Sequence, residues 1–271
     1  MKKILIIINE SHVPHHAIKR AIDIAKESNS TLEALFIDDI NGLNFGYPFP
    51  NDLYLTGTQA SQKSRTEESV EELTNIAKVF KDECAEYSIE CKIEIDKSVS
   101  IKHLINLSCF ADLIIADSKS ESDDYSFKDI LADAHCPLLL TSKNAESIEK
   151  IFFAYDGSAS NMYAIKMFSY IFPEYKNLPV QFFQITSADV VEIRHLEEIK
   201  SWTSKHFTDI NFKLVTGSIR KELVDYVKQD SEKAIVIMGA YSRSAMSQLF
   251  LKSMAESVIN ETDATLFIAH Q

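Results

Sequence analysis

Lys3-Ile4-Leu5-Ile6-Ile7-Ile8-Asn9-Glu10-Ser11 opens the chain, and Lys150-Ile151-Phe152-Phe153-Ala154-Tyr155-Asp156-Gly157-Ser158 restarts the same pattern 147 residues later. Each stretch is a short apolar run that ends in a polar turn. The register then persists, because His16-Ala17-Ile18-Lys19 falls on Tyr163-Ala164-Ile165-Lys166. In the first copy Ala17, Ile18, Ala21, Ile22 and Ala25 recur at helical spacing; in the second Ala164, Ile165, Phe168, Ile171 and Phe172 do so. Each half therefore begins with a buried strand, a polar turn and a helix. A repeat of this length is a whole domain rather than a solenoid unit.

The later parts of the halves also match. Ala111–Asp117 and Lys233–Gly239 read as buried strands, and each half closes on an apolar strand, 137–141 and 265–269. Leu32–Ile37 and Val180–Ile185 read as second strands, Glu90–Ile95 and Asn211–Val215 as third strands. Val70, Leu73, Ala77, Phe80 and Cys84 form one apolar helical stripe, and Val190–Phe207 reads as a helix that packs through Trp202. Near-continuous apolar strands alternating with amphipathic helices predict a parallel sheet covered on both faces. Right-handed crossovers make it doubly wound, five strands to each half. The polar run Ser142–Ser147 places the boundary, giving units 1–145 and 146–271. A long insertion, 38–65, carries Phe45, Tyr47, Phe49 and Tyr54; its aromatic content predicts docking, on this protein's own surface. The closing strands would each be an exposed apolar edge, so 137–141 and 265–269 are expected to pair with each other.

Composition narrows the function. A hydrophobic fraction of 45% and a charged fraction of 25% are those of a globular protein, and a net charge of −12 disfavours nucleic acid and anionic membrane. No apolar run has the length of a membrane span, and the first strand lacks a cleavage signal, so the expected location is the cytoplasm. Cys84, Cys91, Cys109 and Cys136 show no metal-ligand spacing and read as reduced thiols. His12, His15 and His16 read as solvated residues at a helix start, and Asp123-Asp124 as a solvated loop. No metal site and no catalytic motif stands out.

Three segments of the second half carry a resemblance: Tyr155-Asp156-Gly157-Ser158, Val236-Ile237-Met238-Gly239-Ala240-Tyr241-Ser242-Arg243-Ser244, and Leu249–Val258. With the repeat, they make the chain resemble a tandem member of the universal stress protein family, over essentially its whole length. That resemblance implies two Rossmann-like domains of the adenine-nucleotide alpha-hydrolase type. It also implies a non-catalytic stress-response or signalling role, with ATP or AMP as the ligand. ATP-binding members carry G-x2-G-x9-G-[ST]; here Gly239, Ser242, Lys252 and Ser253 hold those positions, so the first Gly and the final Ser match. The resemblance further places Asp156 near the adenosine and the Ala154 backbone near adenine. Physically, a strand leading into a helix N-terminus favours phosphate, and glycines permit close approach.

Each of these residues also has a reading without a ligand. Ser253 and Glu256 form a capping box, Asp156 and Ser158 suit a helix cap, and Gly239 suits a tight strand–loop turn. The alternative functions are then a ligand-independent interaction scaffold with vestigial pockets, or a slow ATPase. In the first half Asp117 replaces Gly239, Asn9 replaces Asp156 and Glu10 replaces Gly157, and Glu121, Asp123 and Asp124 follow Asp117. Carboxylates there repel a triphosphate, so nucleotide is expected in the second half only. Whether chains form a further homodimer is left open by the sequence.

Overall fold

The fold is set by ten short strands, most of them near-continuously apolar and therefore buried on both faces. The computed structural model describes residues 2–9, 13–37, 67–95, 101–118, 133–144, 147–186, 192–240, 255 and 257–270. The first five strands are β1 (Lys3–Asn9), β2 (Thr31–Ile37), β3 (Cys91–Ile95), β4 (Leu113–Asp117) and β5 (Leu138–Thr141). The second five are β6 (Lys150–Ala154), β7 (Pro179–Thr186), β8 (Asp209–Thr216), β9 (Ala234–Ala240) and β10 (Thr265–His270). They form one ten-stranded sheet in the order β3-β2-β1-β4-β5-β10-β9-β6-β7-β8.

Within each group of five every pairing is parallel, and the order is the same doubly wound one. The groups meet through β5 and β10, which run antiparallel with Leu138 opposite Ile268, Leu139 opposite Phe267 and Leu140 opposite Leu266. The closing strands therefore pair as their apolar edges require. Because that pairing is antiparallel, the carboxyl ends of the two parallel sets lie at opposite margins of the sheet.

Among the described residues, the helices that flank the strands include α1 (His15–Ser28), α2 (Glu67–Glu86), α3 (Ile101–Ser108), α4 (Ala159–Ile171), α5 (Leu196–Thr203) and α6 (Ile219–Val227). Alternation along β1 sends Ile4, Ile6 and Ile8 to one face, where they pack with Ile18, Ala21 and Ile22 of α1 and Ala77, Phe80 and Cys84 of α2. Leu5 and Ile7 face the other side, towards Leu104 of α3. The same alternation repeats in β6. Phe153 belongs to the core with Phe168 of α4 and Phe207, and Phe152 to the core with Leu223 of α6. Phe153, Phe182, Phe207 and Phe168 form an aromatic cluster with ring centroids 4.8–5.9 Å apart.

Two expectations change. The helix read over 190–207 is confined, among the described residues, to Leu196–Thr203. His195 adopts a left-handed conformation (φ 52°), and the backbone on both sides of Arg194 is held by side chains from elsewhere, so local helix propensity is overridden. Gly239 does not sit in a loop turn but within β9; its glycine has another cause, given below. The insertion 38–65 and the loop holding Glu121, Asp123 and Asp124 lie outside the described residues, as does His12.

Candidate functional site

In a doubly wound sheet the crevice at the topological switch point is where two neighbouring strands send their connections to opposite faces. In the second half this is the gap between the carboxyl ends of β6 and β9, since β7 lies on the far side of β6. Ala154 ends β6, Gly239 is the penultimate residue of β9, and Asp156 lies in the turn between β6 and α4. Three of the sequence candidates thus converge on one crevice. Ser242, Lys252 and Ser253 lie outside the described residues, as does Glu256.

The start of α4 is built tightly. The Asp156 carboxylate accepts from the Ser158 backbone N–H at 2.8 Å. Ser158 is the N-cap, and its hydroxyl accepts from the Asn161 N–H at 3.1 Å. Gly157, at φ +77°, takes a conformation that side chains disfavour. The stem of Arg194 lies over it: a Cβ added at Gly157 would stand 2.8 Å from the Arg194 Cβ. Arg194 is itself pinned from both sides. Its carbonyl accepts from the Tyr155 hydroxyl at 2.9 Å, and its N–H donates to Gln184 Oε1 at 2.9 Å. Burial, and then the carboxylates of Asp156 and Glu198, push the Tyr155 phenol up, so it remains a protonated donor.

Gly239 is required by the helix rather than by a turn. A Cβ there would lie 2.6 Å from both the Cα and the N of Asn161 and 2.7 Å from the Ser160 carbonyl carbon. The absence of a side chain lets the first turn of α4 rest directly on β9. This brings the helix N-terminus, with its positive dipole end, to the switch point. One further residue, Asn161, went unnoticed in the sequence. It is 5% exposed, its Nδ2 donates to the Ala154 carbonyl at 2.5 Å, and its Oδ1 is buried without a hydrogen-bond partner among the described residues.

The first half is built differently at the equivalent position between β1 and β4. The register of β4 on β1 matches that of β9 on β6, which puts Asp117 in the place of Gly239. The helix retreats to make room: α1 begins at His15, three residues later in the repeat than α4. Asp117 is 7% exposed, and His16 Nε2 stands 3.1 Å from its Oδ1. His16 is therefore a partner of Asp117, not a solvated helix-start residue.

Among the described residues no group of three or more His, Cys, Asp or Glu could hold a metal ion. The four cysteines are free thiols. Burial, with Cys91 alongside, lifts Cys84 to about 12, and burial lifts Cys136 to about 12, so neither supplies a thiolate nucleophile at neutral pH. Trp202 stacks on His206 with centroids 4.0 Å apart, a packing role. No described helix is long and apolar enough to cross a membrane.

No family model matches the chain. A sequence relative, Universal stress protein Slr1230 of Synechocystis sp. (strain ATCC 27184 / PCC 6803 / Kazusa), is 28% identical over 128 residues. The match covers 46% of this chain and 44% of the relative, so the chain spans less than half of that protein's length. Two solved structures are similar over nearly the whole fold. One, a universal stress protein from Archaeoglobus fulgidus DSM 4304, has a TM-score of 0.67 at 11% identity, covering 100% of this chain and 96% of its own. The other is a functionally unknown protein, PA1789, from Pseudomonas aeruginosa PAO1. Its TM-score is 0.66 at 17% identity, with 99% of this chain and 92% of its own covered. At such identities the structural matches speak for the fold, and the sequence match is to a universal stress protein over about half of the chain.

Proposed function

We propose that the chain is a non-catalytic, cytoplasmic stress-response or signalling module. It binds one adenine nucleotide, ATP or AMP, in the crevice between β6 and β9. On this reading residues 1–145 and 146–271 are two units with divided roles: the second holds the ligand, and the first is structural or regulatory. The observation that carries the proposal is the contact of Gly239 with the first turn of α4, which delivers a 13-residue helix N-terminus to the switch point. Ala154 and Asp156 flank that point, and Ser242, Lys252 and Ser253 follow Gly239 at the spacing of the phosphate loop.

A second reading has its own support. Asp156 and Ser158 are already engaged in ordering the start of α4, which accounts for both without a ligand. The chain would then be an interaction scaffold with two vestigial pockets. A slow ATPase is a weaker reading, since two glycines of the phosphate loop are replaced by Ser242 and Lys252. Mass spectrometry of the supernatant from denatured, freshly purified protein separates the first two. Stoichiometric ATP or AMP supports the nucleotide reading. No retained nucleotide, together with no heat on titration with ATP or AMP, supports the scaffold. Release of phosphate with Mg²⁺ present would move the assignment to an enzyme.

A further inference from the structure

Asn161 holds an acceptor with nothing to accept. Amide orientation is fixed here by its surroundings: the Ala154 carbonyl needs a donor, so Nδ2 must face it, at 2.5 Å. Oδ1 is then obliged to point away from Ala154, and it is buried with no hydrogen-bond partner among the described residues. A buried polar atom left unpaired is costly, and native structures generally avoid it. The residue cannot be displaced easily, because its backbone is wedged between Gly239 and the Ser158 cap.

We infer that Asn161 Oδ1 accepts a hydrogen bond from the nucleoside part of the ligand and makes Asn161 a specificity-determining residue of the second crevice. This rests on the nucleotide reading above. Asn161 occupies the Ala154 carbonyl and holds an equivalent acceptor on the same amide. The matching chemistry is an N–H or O–H donor, which a nucleoside offers at the 6-amino group of adenine or at a ribose hydroxyl. A phosphate cannot serve, since it brings only acceptors and negative charge to a carbonyl oxygen.

The test is calorimetric titration of the full chain and of Asn161→Ala with ATP, inosine triphosphate, 2′-deoxy-ATP and 3′-deoxy-ATP. Thermal midpoints establish that the variant is folded, and Asn161→Ser serves as a milder second variant. Asn161→Ala is expected to weaken ATP about tenfold, the worth of one hydrogen bond to a buried acceptor. One analogue is expected to bind the wild type about tenfold more weakly than ATP, and to show no such deficit in the variant. Inosine triphosphate in that role identifies the 6-amino group; a deoxy analogue identifies the hydroxyl. Equal losses for all four nucleotides, or no loss for any, overturn the inference while leaving the nucleotide reading intact. If the wild type binds none of them, the nucleotide reading fails and the inference falls with it.

Discussion

At the first switch point Asp117 stands where the second has Gly239, and the consequences run outward from that position. With no side chain on β9, the first turn of α4 settles against the strand and its N-terminus reaches the crevice. With a carboxylate on β4, α1 starts a turn later and His16 descends to pair with Asp117. The two crevices have the same strand order and the same crossovers. They differ at that strand residue and the helix start it permits, and in the turn after the first strand, where Asn9 and Glu10 replace Asp156 and Gly157. A doubly wound scaffold does not by itself carry a ligand; in the proposed function the close approach of helix to strand does.

A second pair of equivalent positions tells the same story away from the crevices. Glu33 on β2 and Gln181 on β7 occupy matching places in the register and are both buried. Glu33 forms ion pairs with Lys3, at 2.5 Å, and with Lys92. Gln181 meets Asn211, whose Nδ2 donates to it at 3.0 Å, and Asn211 lies where the first half has Lys92. The first half is held by charge where the second is held by neutral amides.

The comparison can be broken most severely at Gly239. Gly239→Asp imports the first-half residue into a site with no space for even a Cβ. Expected are a loss of about 3 kcal/mol, a melting midpoint lower by roughly 10 °C, and no detectable ATP binding. The converse change, Asp117→Gly, should not create a second nucleotide site, since α1 still starts late. Next in size is His16→Ala, which removes the imidazole beside a nearly buried carboxylate and should cost about 2 kcal/mol; urea melts measure it, and ATP affinity should not move.

Acid sharpens the contrast further. Burial works to raise the Glu33 carboxyl, but Lys3 and Lys92 outweigh it and hold the group below its ordinary 4.5. A depressed native pKa means that this contribution is fully present above pH 4.5 and is lost as pH falls through the lower native value. Hydrogen exchange should therefore show β1–β3 opening before β6–β8 on acidification. Glu33→Gln should cost about 1–2 kcal/mol at pH 7 and abolish that difference. The smallest effect is at the cap: Ser158→Ala should cost about 1 kcal/mol, visible as faster exchange in the first turn of α4 alone.

Much of the fold was legible because its signals are local and repeated. Near-continuous apolar strands such as Ile4–Ile8 and Ile235–Met238 announce burial on both faces, and strands with exposed apolar edges announce a partner. Strand limits shifted by a residue or two, as at Thr31 and Pro179. The site was legible only in part. Motif and register singled out Ala154, Asp156 and Gly239, which converge on one crevice, but not the reason for Gly239, because its contact with Asn161 spans two elements far apart in sequence. Asn161 itself looks like any polar residue in a first helical turn. His16 and Asp117 were each noticed, yet their pairing joins residues 101 positions apart. The segment before α5 reads as helix locally and is bent by Tyr155 and Gln184, which no local pattern reveals.

The central claim is that the crevice between β6 and β9 takes an adenine nucleotide and the crevice between β1 and β4 does not. Calorimetric titration of the intact chain with ATP tests it most directly, with Asp156→Ala and Asn9→Ala run alongside. The account predicts one site per chain, weakened by Asp156→Ala and unaffected by Asn9→Ala. Two sites per chain, or equal losses from both substitutions, would contradict it.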